Sequence, residues 1–249
     1  MRRAIQSPSD YIYEYRNTEY GDGTALGRVP MPDKETIALS DYRIRHAQYK
    51  ADADSQAVHR QHPFICVWDD HEFSNNAWRD GAQNHDASEG DWMARRNAAE
   101  QAYYEWMPIR EDAQTAQSRI YRTFRFGDLV TLMMLDTRLV GRDQESARDD
   151  TKTIVLPERQ LLGVEQEAWL AEQMVTSVRN GARWNLLGQQ VVFAPQTESA
   201  RGQHGFLGRL PRRPRPRVRH DRSREDDQRL RVDRRCAQLV GLRPAAESV

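Results

Sequence analysis

The sequence predicts an α/β protein with a mixed sheet, because helical patterns alternate with short apolar strands and a hairpin. The apolar run at 64–68 has the length and composition of a buried strand. Residues 119–135 alternate polar and apolar side chains, turn at Gly127 and continue as an apolar run, which predicts a hairpin with a buried second strand. Apolar side chains at helical spacing over 92–107 predict a helix that ends at Pro108.

The other elements are predicted by local signals along the chain. Glycines and prolines over 15–34 predict a long loop. Helical spacing over 35–60 predicts two helices that meet near Asp52. Residues 88–91 have the spacing of a capping box in front of the helix at 92–107. The remaining elements are a helix at 165–179 that ends near Gly181 and a core strand at 184–193.

Composition excludes several protein classes. Two cysteines in 249 residues provide no disulfide framework. No apolar run approaches 18 residues, so the sequence predicts no membrane span. Arg2 and Arg3 are followed by no apolar segment, so we expect no export signal and a cytoplasmic location for the chain as written. Oligomeric state has no signal in the sequence.

The most informative peptide begins where the apolar run at 64–68 ends. Two carboxylates and an imidazole follow at Asp69, Asp70 and His71, and two amides lie a few residues later. A buried strand that ends in this way delivers ligands to the carboxyl edge of a sheet. Carboxylate and amide oxygens bind hard metal ions, and an imidazole binds metal or moves a proton. Because Asp and Asn also favour turns, the peptide alone favours a strand that ends in a solvated turn over a metal or phosphate site.

The order of residues around this peptide resembles a known family. The sequence Asp-Asp-His-Glu at 69–72, followed by Asn-Asn-Ala-Trp-Arg-Asp-Gly, is similar to the signature of the PhoD-like alkaline phosphatases, a branch of the calcineurin-like metallophosphatases. The peptide from Asp10 to Tyr15 looks like the family's Gly-Asp-Tyr-Ile-Tyr-Glu-Tyr block. Further similar segments are Gly90 to Trp92, Tyr104 to Arg110, Arg119 to Arg122, Leu135 to Arg138 and Leu162 to Leu170. The resemblance covers residues 9–196.

The resemblance implies the metallophosphatase fold, a mixed-sheet β-sandwich flanked by helices, with its site at the strand ends. It implies metal-dependent hydrolysis of phosphate monoesters or diesters, with calcium and iron as the associated metals and a phosphate ester as the partner. Members of the family are often exported. On the basis of this resemblance, we do not expect a nucleic acid as a partner of the chain.

The resemblance also implies roles for single residues. Asp10 takes the place of a metal-bridging carboxylate, and Asp70 that of a second metal ligand. Tyr13 matches a metal-ligating tyrosine of the iron-containing purple acid phosphatases, although a core tyrosine is an equal alternative. His71 then lies near the phosphate, where it stabilises charge or protonates the leaving group. The implied substrate-binding residues are Asn76, Arg79 and Arg138, although for Asn76 and Arg79 a structural role in holding the loop is an equal alternative.

Two departures from the family pattern lead us to expect impaired turnover. Ser9 replaces the glycine that precedes Asp10, which alters a tight backbone approach. An upstream metal-binding segment and the late histidine-bearing segments find no match, so the chain reads as shortened at both ends. Half of a two-metal shell is not expected to give half of the activity, because such residues act as a unit.

The charge distribution divides the chain at residue 200. Residues 201–249 contain 14 arginines, no lysine and six acidic residues, a balance of +8, which leaves 23 basic and 31 acidic residues in 1–200. We therefore predict a partial PhoD-like metallophosphatase domain at 1–200 and a disordered Arg/Pro-rich tail at 201–249. The composition of the tail has two interpretations. It is either the segment through which a non-catalytic protein contacts nucleic acid, or the product of GC-rich codons translated in the wrong frame. We favour the frameshift because lysine is absent and the family motifs stop near Pro195.

Overall fold

The computed structural model describes residues 10–110, 119–146 and 156–191, together with the backbone of residues 5–7. The predicted tail at 201–249, the boundary at residue 200, Ser9 and the end of the predicted strand at 184–193 lie outside the described residues. These parts of the sequence analysis therefore stay predictions. Within the described ranges, no helix is both long enough and apolar enough to cross a membrane.

The first helices follow a long irregular segment, as the breakers at 15–34 predict. The segment contains one short 3-10 helix, Thr24–Leu26. Helix α1 spans Leu39–Lys50 and helix α2 spans Ala53–Gln61. They meet at Asp52, whose carboxylate accepts a 2.9 Å hydrogen bond from the Ser55 backbone N–H and so caps α2. The prediction of two helices that meet near Asp52 is confirmed.

Helix α3 spans Trp92–Trp106, but the predicted capping box at 88–91 is wrong. Asp91 caps α3 by itself, since its carboxylate accepts a 2.8 Å hydrogen bond from the Ala94 N–H. The capping box lies between Asp86 and Glu89, where it caps the 3-10 helix Ala87–Glu89. Two caps in a row are possible because a glycine at positive φ separates the short helix from α3.

Two small sheets are described. Strand β1 (Ile5–Ser7) pairs in parallel with strand β2 (Phe64–Cys66). The second sheet has the order β3-β4-β5, formed by Arg122–Phe126, Val130–Met134 and Trp184–Gly188. Strands β3 and β4 form the predicted antiparallel hairpin, and β4 pairs in parallel with β5. Helix α4, Val164–Arg179, connects these two parallel strands. Because one pair is antiparallel and the other is parallel, the described sheet is mixed, as predicted.

Strand β4 belongs to two hydrophobic cores, which explains its continuous apolar sequence. Leu132 and Met134 pack in one core together with β2 and helices α1 and α3. Met133 lies on the opposite side, in a core that β4 shares with α4 and β5. Because both faces are covered, the polar residues that follow the strand are held in fixed positions next to the end of β2.

Candidate functional site

The chain leaves β2 and folds into a tight turn that begins at Asp70. The Asp70 backbone carbonyl accepts 2.8 Å hydrogen bonds from the N–H groups of Phe73 and Ser74. The Asp70 carboxylate accepts a 2.6 Å hydrogen bond from the Asn76 N–H. Asn76 has a φ of +51°, in the left-handed region that asparagine tolerates better than most residues. The turn therefore buries the Asp70 side chain while holding it in one orientation.

The structure brings Asp10, Asp70 and His71 together. One possible ligand atom from each residue lies within 4.8 Å of the others, and in the described ranges this is the one such cluster of metal-binding side chains. The Tyr13 hydroxyl donates a 3.0 Å hydrogen bond to Asp10 Oδ2. Asp10 Oδ1 is buried and accepts no hydrogen bond from the described residues. A buried carboxylate oxygen without a donor fits a cation, since such an oxygen otherwise loses its hydration without compensation.

Burial and neighbouring charge affect both partners in this hydrogen bond. Burial raises the pKa of Asp10, and the charge of Asp70 acts in the same direction, against the opposing effects of His71, Tyr13 and Arg138. Burial, with the adjacent Asp10, raises the pKa of Tyr13 well above its ordinary value. The phenol therefore keeps its proton and donates to Asp10 as the structure stands. A cation between the two carboxylates would oppose both shifts, because a positive charge favours the ionised forms of Asp10 and Tyr13.

His71 is held by a buried glutamate that the sequence analysis did not select. Its Nδ1 lies 2.6 Å from Glu14 Oε2, and Glu14 is fully buried. Burial lowers the pKa of His71, but the hydrogen bond to Glu14 and the charges of Glu14, Asp70 and Asp10 outweigh it and raise the pKa to about 9. His71 is therefore protonated at neutral pH. The available signal was position, because Glu14 belongs to the same motif as Asp10.

Glu72 ties the two ligand-bearing segments together. Its buried carboxylate accepts hydrogen bonds from the backbone N–H groups of Tyr11, of Ile12 at 3.2 Å and of Asp69 at 2.6 Å. One acid thus joins the peptide that follows Asp10 to the peptide that precedes Asp70. Glu72 is a positioning residue, and nothing in the Asp-Asp-His-Glu peptide indicates this role.

Arg138 lies at the opposite side of the Asp69–Asp70 peptide. Its Nε is 2.6 Å from Asp69 Oδ1, and a terminal guanidinium nitrogen is 3.1 Å from Asp70 Oδ1. Burial raises the pKa of Asp70, but the charges of Arg138 and His71 outweigh it and lower the pKa below its ordinary value. At Asp69 burial outweighs the same arginine and raises the pKa to about 7. Arg138 therefore keeps Asp70 ionised.

The peptide Leu-Asp-Thr-Arg at 135–138 orients the Arg138 side chain toward the carboxylates of Asp69 and Asp70. Asp136 follows β4, and its Oδ1 accepts 2.8 Å hydrogen bonds from the N–H groups of Arg138 and Leu139. Its Oδ2 accepts a 3.0 Å hydrogen bond from the indole N–H of Trp68, at the end of the apolar run. Asp136 thus fixes the turn after β4 against the segment that leads to Asp70.

The other two predicted substrate-binding residues are placed differently. Asn76 donates its side-chain amide to Gln83 Oε1 at 2.5 Å, and only its backbone N–H contacts Asp70. Arg79 is directed toward surface acids, with Nε 2.9 Å from Asp80 and a terminal nitrogen 3.5 Å from Asp143. Substrate contacts for Asn76, Arg79 and Arg138 stay predictions.

Comparisons with known proteins identify the relatives of this chain. A profile of the family described as PhoD-like phosphatase matches residues 8–235. The chain is 41% identical over 193 residues to alkaline phosphatase D of Bacillus subtilis (strain 168), a match that covers 74% of this chain and 32% of that protein. A solved structure titled "Structure of PhoD" aligns with a TM-score of 0.67 at 38% identity and covers 77% of this chain and 37% of the other. The chain thus spans about a third of the length of the relatives it matches. The profile match, the sequence identity and the shared fold together place this chain in the PhoD-like phosphatase family.

Proposed function

We propose that this chain binds metal through Asp10 and Asp70 and takes part in hydrolysis of phosphate esters at that site. The observation that supports the proposal is the convergence of Asp10, Asp70 and His71 within 4.8 Å, with Asp10 Oδ1 buried and unpaired among the described residues. A bound metal ion would neutralise phosphoryl oxygens and lower the pKa of a coordinated water. The identity to alkaline phosphatase D supports the same chemistry.

His71 is the proton donor in this proposal. Its Nδ1 is engaged by Glu14, which leaves Nε2 as the ring nitrogen that can face substrate. The hydrogen bond to Glu14 and its charge favour the protonated ring, which can stabilise a phosphoryl oxygen and deliver a proton to the departing alkoxide. Arg138 supports this arrangement indirectly, since it holds Asp70 ionised beside the ring.

The donor set narrows the metals without selecting one. Carboxylate oxygens fit calcium, magnesium or manganese. A tyrosinate at Tyr13 fits ferric iron, in line with the calcium and iron that the family resemblance implies. Ligation by Tyr13 requires loss of the proton that it now donates to Asp10. We propose phosphate monoesters or diesters as substrates.

Metal binding is tested first, because it is independent of turnover. Isothermal titration of chelator-treated protein with Mn²⁺ should show binding that Asp10→Asn and Asp70→Asn each weaken by about 10-fold or more, since each replaces a charged carboxylate ligand with a neutral amide. The matched control is Asp143→Asn, which removes one carboxylate outside the cluster. Unchanged affinity in both cluster variants would remove the metal site.

Hydrolysis is tested next with p-nitrophenyl phosphate and bis(p-nitrophenyl) phosphate, with and without EDTA. We expect chelator-sensitive release of nitrophenolate that His71→Gln reduces while Mn²⁺ affinity is retained. Turnover that survives EDTA would contradict metal dependence. The predicted impairment is tested in the same assay, since rates typical of an intact phosphatase would refute it.

A further inference from the structure

A small cavity lies beside the candidate centre. It has a volume of about 180 Å³. Its lining includes Tyr13, Tyr15, Tyr20 and Arg45. Tyr13 belongs to both features, because its ring lines the cavity and its hydroxyl donates to Asp10 Oδ2. The Tyr13 side chain therefore connects the cavity to the candidate centre.

The rings of Tyr13, Tyr15 and Tyr20, here called the tyrosine platform, extend from His71 toward solvent. The Tyr13 and His71 ring centroids are 4.3 Å apart, and those of Tyr15 and His71 are 5.6 Å apart. Tyr20 is nearly parallel to both other tyrosines, at 5.7 Å from Tyr13 with an interplanar angle of 17° and at 5.6 Å from Tyr15 with an angle of 10°. Tyr20 is nevertheless 75% exposed, so it offers aromatic surface to a further ring.

A buried arginine holds the platform in place. Arg45 of α1 is fully buried, and its guanidinium donates to the backbone carbonyls of Tyr13 and, at 3.0 Å, of Tyr15. It also donates to the Met31 carbonyl at 2.8 Å, across the irregular segment that contains Tyr20. A helix thus fixes the backbone under two of the three rings, which pre-organises the platform for a ligand.

We propose that the tyrosine platform binds the alcohol part of the phosphate ester and selects esters of aromatic alcohols. The inference rests on the proposed function, because it places the phosphate at Asp10 and Asp70. A leaving oxygen within reach of His71 directs its substituent along the rings that pack on His71. A cavity of roughly 150 Å³ accommodates benzene, so a phenyl group fits this volume. Offset stacking on tyrosine favours an aryl group over an alkyl group by about 2- to 12-fold.

The test compares two phosphonates that cannot be hydrolysed and that differ only in the ring. Phenylphosphonate and methylphosphonate are titrated into the Mn²⁺-loaded full chain by isothermal calorimetry. We expect tighter binding of phenylphosphonate, and we expect Tyr20→Ala to reduce this preference by about 2- to 12-fold with methylphosphonate affinity unchanged. Tyr20→Phe should keep the preference because the stacking ring remains. The control is Phe126→Ala, which removes a 40% exposed ring that does not line the cavity.

The outcomes separate the two proposals. If both phosphonates bind equally, or if Tyr20→Ala leaves the preference intact, selection by the platform is wrong and the phosphate site stands. If neither phosphonate binds, both proposals are wrong. Folding of the Tyr20 variants is checked by circular dichroism, and little change is expected at a residue exposed to this extent.

Discussion

Replacing Glu14 with glutamine should lower the pKa of His71, and the structure gives the size of the effect. The Glu14→Gln side chain would keep an acceptor oxygen for the 2.6 Å hydrogen bond from the Asn75 N–H but lose the charge next to His71. The rise of the His71 pKa from 6.5 to about 9 corresponds to about 3 kcal/mol in favour of the charged ring. Because burial opposes that rise, removal of the Glu14 charge should lower the pKa by about 1–3.

The same substitution should alter how stability depends on pH. The pKa of His71 is higher in the folded chain than in the unfolded chain, so protonation stabilises the fold fully below pH 6.5. This contribution is lost as the pH rises from 6.5 through about 9. Over that window the wild-type free energy of unfolding should fall by about 3 kcal/mol from this residue, and the fall should be smaller in Glu14→Gln.

Two measurements check these expectations on the metal-free chain in EDTA. Imidazole NMR titration reports the His71 pKa directly, and urea denaturation at pH 6 and at pH 9.5 reports the change in stability. Glu105→Gln serves as the charge-matched control, since Glu105 pairs with Arg43 on the surface of α1 and α3. The reasoning is refuted if the wild-type His71 pKa lies at or below 6.5, or if Glu14→Gln leaves it unchanged.

Three further substitutions test the supports of the site. Arg45→Lys keeps the charge but cannot reproduce the five hydrogen bonds that the guanidinium donates to backbone carbonyls. Urea denaturation should therefore show a free energy of unfolding lower by about 2–4 kcal/mol. A decrease below about 0.5 kcal/mol would contradict a stabilising role for these hydrogen bonds. Tyr42→Phe removes the buried hydroxyl that accepts a 3.1 Å hydrogen bond from Arg95 Nε. It should destabilise the fold by about 1–3 kcal/mol in the same assay. An unchanged urea midpoint would show that this hydrogen bond does not contribute to stability. Gly141→Ala places a methyl group 2.1 Å from the Gly163 backbone nitrogen. Thermal denaturation should show destabilisation of about 1–3 kcal/mol or more, because the backbone segments at Gly141 and Gly163 must move apart. An unchanged transition would mean that these two segments can move apart without loss of stability.

Most of the described secondary structure could be predicted because its signals are local. Side-chain periodicity placed α1, α3 and α4, and alternation followed by an apolar run placed the hairpin of β3 and β4. The capping box was misplaced because Ser88 and Asp91 have the same spacing as Asp86 and Glu89, the pair that forms it, while Asp91 caps α3. Only the backbone conformation between them decides which N–H groups each carboxylate reaches.

The candidate site was predicted in part. Family-like motifs selected Asp10, Asp70 and His71, and the structure brings these three residues together. They did not indicate that Glu14 holds His71 or that Glu72 joins the two ligand-bearing peptides. Both acids stand in the same motifs as residues that were selected, but their partners lie about 60 positions away in the sequence.

The sequence by itself determined the order of helices α1 to α4 and strands β2 to β5, the family, and the types of ligand that follow the apolar runs, but it did not indicate strand β1. Tertiary structure alone decided which charges compensate one another. Arg138 keeps Asp70 ionised and Glu14 keeps His71 protonated, because burial removes water and leaves each charge dependent on its nearest partner. Tertiary structure likewise fixed the backbone of Tyr13 and Tyr15, because Arg45 of α1 donates hydrogen bonds to their carbonyls. Such partners are set by contacts between distant segments, and a local pattern of residues contains no information about those distances.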